Sequence, residues 1–192
     1  MNLVEMRKDL SIEVKNGITF LLAGTLVWIL ITVIFFQSID IAQKNFFMLC
    51  STGLTFPLGI VVSKMFNVDW KNKNHPLSEL GLYLNVAQFI YFPILFLILV
   101  KVPSEAVTVF ALITVAHFFL YGWLYHTKVY YILSPIISVL IFVLSLTLPG
   151  EKLWMIPLAM VLSLLLMNIL LYVDYKKKVD GLIEAKKEPI SS

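Results

Sequence analysis

Uncharged hydrogen-bonding side chains recur within the apolar stretches of this sequence. His117, Tyr121 and Tyr125 are spaced by four residues, so a helix would place them on one face. Asn85 and Gln88 are spaced by three, which also puts them on one face. Imidazole, phenol and amide groups both donate and accept hydrogen bonds. A few such groups in an apolar pocket orient a bound small molecule, so the pattern predicts a binding site.

The same side chains have an ordinary alternative role as contacts between helices. In an apolar environment, neutral polar groups on neighbouring helices hydrogen-bond to one another, and each bond is worth about 0.6 kcal/mol. Both interpretations stay open at this point. The candidate ligand-binding residues are Asn85, Gln88, His117, Tyr121, Tyr125, Ser134 and Asn168.

Charged chemistry is not supported inside the apolar stretches. All 12 acidic residues lie outside their centres, and no Lys or Arg interrupts them. A charge at the centre of a membrane helix costs about 2.5 to 3.5 kcal/mol on insertion scales and marks a proton or ion path. The pattern argues against a transporter with a buried carboxylate, and against hydrolases that need carboxylate pairs or His–Glu clusters. We predict no catalytic residue and no metal site, and an enzyme is the least favoured class.

Cofactor binding is not expected either. His117 and His126 are nine residues apart, which is about 900° of helix rotation and points them to opposite faces. Two axial haem ligands within this chain are therefore not predicted. Cys50 is the only cysteine, so neither a disulfide nor a multi-cysteine metal site can form within the chain.

Composition indicates an integral membrane protein. Hydrophobic residues make up 59% of the 192 residues and charged residues 14%, whereas soluble domains are about half apolar and a quarter charged. The formal net charge of +3 is too small to suggest a nucleic-acid partner. The lipid bilayer is the expected environment. A small-molecule or lipid ligand, and a protein partner or homo-oligomer, remain open.

The apolar residues fall into six segments of about twenty residues, each long enough to cross a hydrocarbon core of about 30 Å as a helix. We predict an all-α polytopic membrane protein with six transmembrane helices in a single domain, 1–192. Its parts would be a cytoplasmic or interfacial arm, a six-helix bundle and a basic cytoplasmic tail, at 1–16, 17–173 and 174–192. The segments are 17–36, 45–65, 80–100, 105–126, 129–148 and 153–173.

Two local patterns refine this prediction. In the arm, one helical stripe is formed by Leu3, Met6, Leu10 and Val14. This pattern fits either a helix in the membrane interface or a solvated arm. In the second segment, Pro57 predicts a kink near the middle.

Positive charge is distributed unevenly between the two sides of the predicted bundle. Of the 15 Lys and Arg residues, three lie in the loops after the odd-numbered segments, namely Lys44, Lys101 and Lys152. The other twelve lie in the termini and in the loops after the second and fourth segments. Because positive residues are retained in the cytoplasm, both termini are predicted to be cytoplasmic in a multi-pass cell-membrane protein.

Short motifs from several segments carry a family resemblance. They are FPLG at 56–59, SK at 63–64, VDWK at 68–71, NVAQFIYFP at 85–93, AHFF at 116–119 and YHTK at 125–128. Together they resemble an uncharacterised family of small bacterial six-helix integral-membrane proteins, a domain of unknown function. The resemblance covers most of the chain and implies a bacterial inner-membrane setting. It implies no activity and carries over no catalytic residue.

The predicted topology places the candidate polar residues at a similar depth. Gln88 would lie about eight residues, or roughly 12 Å, inside the cytoplasmic surface. The leading hypothesis is therefore a protein that binds or transports a small or lipidic molecule through a polar pocket in the cytoplasmic half. The alternative is a non-enzymatic accessory or structural subunit, and an intramembrane enzyme is the least favoured.

Overall fold

A computed structural model describes residues 2–71 and 75–187, with side chains through residue 184, and this part of the chain is helical without any strand. The predicted all-α class is confirmed. A 3₁₀ turn, Gln88–Tyr91, joins the fifth and sixth helices. The α-helices are α1 (Leu3–Glu13), α2 (Ile18–Phe36), α3 (Ile41–Thr52), α4 (Thr55–Met65), α5 (Ser78–Ala87), α6 (Phe92–Lys101), α7 (Ala106–Leu124), α8 (Lys128–Thr147) and α9 (Met155–Lys187).

Five to six of the described stretches are long and apolar enough to cross a membrane. The sixth is the pair α3 and α4, which qualifies only when the two bent helices are taken together. The five continuous stretches are Lys15–Phe36, Ser78–Lys101, Pro103–Leu124, Lys128–Thr147 and Gly150–Glu184.

The bend between α3 and α4 is 42° and lies at Gly53 and Leu54, one turn before Pro57. A proline has no N–H to offer the carbonyl four residues earlier, and its ring crowds that carbonyl. For Pro57 that residue is Gly53. The predicted kink is therefore present, but it falls where the hydrogen bond is lost and not at the proline itself.

A second proline changes the winding of the helix between α5 and α6. Pro93 follows the 3₁₀ turn Gln88–Tyr91 and occupies the first turn of α6. The residue four before it, Phe89, lies within that turn. The winding therefore tightens where an α-helical bond to Pro93 would be missing.

The core of the bundle is formed by α2, α7 and α9. The apolar windows of α2 and α7 are 50% buried and that of α9 is 44% buried, whereas only 6% of the Ser78–Lys101 window is buried. That span packs mainly against α7 and leaves most of its apolar surface at the periphery. In a bilayer this surface would face lipid or another protein.

One end of the bundle gathers the longest-range polar contacts. Here Lys15 and Asn16, which follow α1, bond to Phe66 and to Leu171 of α9. Lys178 of α9 bonds to Ser11 of α1 and to Tyr125 after α7. We call it the basic end. The helix α9 does not stop at Val173, where the sixth apolar segment was predicted to finish, but continues through the predicted tail to Lys187.

The arm contains the predicted helix α1, which lies against the bundle with Leu10 and Ser11 buried. Burial differs between the two ends of the predicted stripe. Leu10 and Val14 are buried, whereas Leu3 is 50% exposed. The buried part of the stripe faces the rest of the protein.

Candidate functional site

A cavity of about 530 Å³ lies at the basic end, enclosed by α1, α2, α4, α5, the loop 66–71 and the end of α7. It is partly open to the outside. The lining residues are mostly apolar and aromatic, with a smaller polar group. The residues on which its character depends are Leu10, Val14, Phe20, Phe56, Trp70, Lys71, Glu79, Asn85 and Tyr125.

Three aromatic side chains form one wall of the cavity. The Trp70 ring lies edge-on to Phe56, with centroids 5.3 Å apart, and to Phe20, with centroids 5.9 Å apart. Gly59 allows this arrangement, because a Cβ at that position would come within 2.5 Å of the Phe20 ring. The absent side chain lets α4 approach α2 closely, as small residues do between membrane helices.

The polar part of the lining comes from the loop 66–71 and from α5. Lys71 and Glu79 are exposed charged residues that line the cavity. The Lys71 ammonium also lies 5.3 Å from the centroid of the Trp70 ring. Asn85 donates a long hydrogen bond, 3.4 Å, to the carbonyl of Gly81. An apolar interior with charged and amide groups beside it suits a ligand that has a hydrocarbon body and a polar head.

Two of the predicted site residues, Asn85 and Tyr125, line this cavity. Tyr121 contributes indirectly, because its hydroxyl donates to the carbonyl of Gly81 at 3.3 Å and so ties α7 to α5. The rings of Tyr121 and Tyr125 are stacked, with centroids 5.5 Å apart. Of the predicted stripe His117, Tyr121 and Tyr125, Tyr125 is therefore the residue that lines the cavity.

His117 and Gln88 do not line the cavity. The His117 ring packs on Phe118 and Tyr121, and its buried Nδ1 has no hydrogen-bond partner among the described residues. Gln88 begins the 3₁₀ turn that follows α5. The structure thus separates these two residues from Asn85 and Tyr125.

Asn168 and Ser134 also lie away from the cavity. The Asn168 amide donates to the Thr25 hydroxyl at 3.2 Å and to the carbonyl of Leu164 at 2.8 Å, which connects α9 to α2. Ser134 is buried on α8, and its hydroxyl has no partner among the described residues. This geometry suits helix packing, and a ligand-binding role for these residues stays a prediction.

The sequence analysis did not single out the polar network beside the cavity. Its centre is the Lys178 ammonium, whose side chain is only 15% exposed. It is 2.7 Å from the Asp174 carboxylate and donates to the Ser11 hydroxyl at 2.8 Å. It also donates to the Asn16 side-chain oxygen at 3.1 Å and to the carbonyl of Tyr125 at 2.9 Å. From the sequence, the tail lysines are interpreted mainly as topology determinants, with contact to anionic lipid as a secondary role.

Asn16 completes this network from a fully buried position. Its amide nitrogen donates to the Asp174 carboxylate at 2.9 Å and to the carbonyl of Leu171 at 3.0 Å. Its backbone carbonyl accepts from the Tyr130 hydroxyl at 3.0 Å. One signal for this was present in the sequence, because an Asn–Gly pair marks a turn that needs left-handed backbone.

Metal binding has no evident framework in the described ranges 2–71 and 75–187. No group of three or more His, Cys, Asp or Glu side chains comes together there in a way that could hold an ion. The cavity offers apolar surface, hydrogen-bonding groups and charged side chains to an occupant.

The apolar helices and the all-helical fold are those of a polytopic membrane protein. At the level of family, the chain matches the family of unknown function DUF7010 over residues 3–174, from α1 into the middle of α9. The chain therefore belongs to that family, and the predicted membership of an uncharacterised family is confirmed. No curated protein and no solved structure matched the chain.

Proposed function

We propose that this protein binds an amphipathic small molecule or lipid in the cavity at its basic end, as a six-span protein with both termini in the cytoplasm. The position of 12 of the 15 Lys and Arg residues in the termini and alternate loops supports the orientation. The count of six takes α3 and α4 as one broken span. The family resemblance favours the inner membrane of a bacterium.

The observation that carries the proposal is the cavity itself. Its volume of about 530 Å³ falls within the range of roughly 300–1,000 Å³ that is usual for small-molecule sites. The basic end would lie near the cytoplasmic headgroups, where an acyl chain can enter beside Phe56 and Trp70. Lys71 and Glu79 would then contact the polar head, and Asn85 would hydrogen-bond to it.

Binding is favoured over transport because the polar lining is confined to one end. Within the described spans, no charged side chain lies at the centre of a helix. A second groove is lined largely by apolar residues of α2, of α3 and of the bend after α3, among them Ile34, Phe47 and Leu54. These features fit a receptor site that is filled from the basic end.

The test is a matched pair of cavity and control variants. In detergent micelles, the affinity for a fluorescent lysophospholipid is measured for Asn85→Phe, which fills the cavity, and for Gln88→Phe, which places the same ring one turn away. We expect binding to weaken about tenfold in Asn85→Phe and to change less than about twofold in Gln88→Phe. Equal affinities for both variants, at the level of the unmodified protein, would remove the cavity from the proposal.

An accessory or structural subunit is the second candidate. The Asn168–Thr25 bond between α9 and α2 and the largely unburied Ser78–Lys101 span favour it. If no lysophospholipid binds while Asn168→Leu and Thr25→Val lower the stability, this role is preferred. An enzyme stays the least favoured alternative, and a hydroxyl group within hydrogen-bond reach of His117 would be the observation in its favour.

A further inference from the structure

The helix α1 forms one side of the cavity. Leu10 on its inner face and Val14 at its end both line the cavity and are buried. If α1 moved away from the bundle, the cavity would lose the wall formed by these two side chains and would open there. We propose that α1 is a lid on the cavity and that Lys178 is the latch that holds it closed. The lid regulates entry to the binding site proposed above, and it rests on that proposal for the identity of what enters.

The lid is a preformed rigid unit. Asn2 and Glu5 cap its first turn reciprocally, since the Glu5 backbone donates to the Asn2 side chain at 3.0 Å and the Asn2 backbone donates to the Glu5 carboxylate at 2.8 Å. Such a capping box satisfies donors that the helix would otherwise leave free. The helix can therefore move as one body without unwinding from its N-terminus.

Few apolar contacts hold the lid in place. Of the eleven residues in α1, only Leu10 and Ser11 are buried. At the outer part of the helix, the Arg7 guanidinium lies 4.5 Å from the centroid of the Trp123 ring and donates to the Trp123 carbonyl. Because the buried apolar area is small, the polar contacts decide whether the lid stays closed.

The connection between the lid and α2 is an unusual turn that serves as the hinge. Three consecutive residues have positive φ, namely Lys15 at 50°, Asn16 at 56° and Gly17 at 75°. Side chains disfavour this backbone region, so Lys15 and Asn16 keep it only while their surroundings hold them there. The contacts of Asn16 to α9 supply that restraint, and releasing them lets the hinge relax.

Lys178 joins the lid, the hinge and the cavity wall at one atom. Its ammonium binds Ser11 on the lid, Asn16 in the hinge and the carbonyl of Tyr125. The Tyr125 ring lines the cavity. A ligand that shifts this ring also disturbs the carbonyl that Lys178 holds, which couples occupancy of the cavity to the latch.

The experiment measures opening of the lid without any ligand. In a Cys50→Ser background, Leu10→Cys reports the cavity face of α1 and Leu3→Cys reports its exposed face. The rate of reaction with a water-soluble maleimide is compared for the protein with Lys178, for Lys178→Met and for the neighbouring control Lys177→Met. Lys177 is exposed and takes no part in the network.

We expect Lys178→Met to raise the reaction rate at position 10 about tenfold relative to position 3, and Lys177→Met to change it less than about twofold. Ser11→Ala removes one acceptor of the latch with little change in volume and should give a smaller increase in the same direction. If Lys178→Met does not fold, Ser11→Ala decides the matter. An unchanged rate in the latch variants, or a thiol at position 10 as reactive as one at position 3 in the latched protein, overturns the lid.

A second measurement separates the lid from the binding proposal. A fluorescent lysophospholipid should dissociate faster from Lys178→Met than from Lys177→Met. If the probe binds none of the proteins, the proposed function fails while the maleimide rates still decide the lid. If the probe binds and dissociates at the same rate from both variants, the binding proposal stands and the latch is overturned.

Discussion

The Lys178 ammonium donates a hydrogen bond of 2.9 Å to the backbone carbonyl of Tyr125, 53 residues earlier in the chain. The same tyrosine places its ring in the cavity wall and stacks on Tyr121. The turn after α7 is thus fixed from two directions, by a charged side chain of α9 and by ring packing within α7. Because these contacts converge at the basic end, we expect substitutions there to change the stability of the protein.

Gly17→Ala should destabilise the protein. Gly17 has φ of 75°, and a Cβ at this position would come within 2.7 Å of the Tyr125 ring. Strain of this kind costs about 1–3 kcal/mol. The matched control is Gly24→Ala in the same helical span, where a Cβ meets nothing within 4 Å. Thermal unfolding in micelles should show a lower midpoint for Gly17→Ala only, and equal midpoints would contradict the close approach.

The bond between Asn168 and Thr25 should be measurable as a coupling between α9 and α2. In a double-mutant cycle with Asn168→Leu and Thr25→Val, we expect a coupling energy of about 0.6 kcal/mol, the average for hydrogen bonds between membrane helices. Thr32→Val is the control, because the Thr32 hydroxyl donates within its own helix, to the carbonyl of Trp28. A cycle of Asn168→Leu with Thr32→Val should show no coupling. Additive effects in the first cycle would disprove the interhelical bond.

Acidification should weaken the basic end through His126, which lies in the turn between α7 and α8. Desolvation and the nearby cations Arg7, Lys8 and Lys178 lower the pKa of His126 below its ordinary value of 6.5, and Asp174 opposes them more weakly. Because the folded-state pKa is lowered, the unfolded chain takes up the proton first. The stability contributed by neutral His126 is therefore present above pH 6.5 and is lost as the pH falls below it.

The measurement is the unfolding midpoint between pH 7.5 and pH 5, with and without His126→Gln. We expect the midpoint of the unmodified protein to fall as the pH is lowered and the fall to be smaller in His126→Gln. An identical pH dependence in both proteins would show that His126 does not contribute.

The proposed orientation predicts opposite labelling of the two ends. In intact cells and a Cys50→Ser background, a membrane-impermeant maleimide should fail to modify Leu3→Cys and should modify Glu151→Cys, since both positions are exposed but lie at opposite ends of the bundle. Opening the cells should make Leu3→Cys reactive. Modification of Leu3→Cys in intact cells would reverse the topology.

Five apolar stretches of spanning length were predictable from the sequence, because the hydrocarbon core imposes a length of about twenty apolar residues on a helix that crosses it. The predicted second segment is instead divided between α3 and α4. The end of α9 was not predictable, since the helix continues through Asp174 and Lys178 after the apolar run has finished. The spacing of four between these two residues was visible, and it is the spacing at which a helix forms an ion pair. Composition alone indicates where lipid contact ends, not where a helix ends.

The candidate site was predictable only in part. Asn85 and Tyr125 reach the same cavity, as opposed stripes on α5 and α7 would require. Gln88 was assigned to the Asn85 stripe by its spacing of three, but it begins the next turn of helix and does not line the cavity. Spacing predicts the face of a helix, and it does not predict how far along that face a cavity extends. The cavity walls formed by α1 and the loop 66–71 depend on tertiary packing. Periodic patterns in the sequence do not predict such contacts.

The separation between Asn16 and Lys178 has a consequence for biosynthesis. The two residues are 162 positions apart, and the chain is made from its N-terminus, so α1 leaves the ribosome long before its fastening partner exists. While the intervening spans are made, α1 and the turn after it can contact only earlier partners such as Phe66 and Trp123, and the bonds from Ser11 and Asn16 to Lys178 are still missing. If α1 is the proposed lid, it can be latched only after the last helix has been made, because that helix carries Lys178.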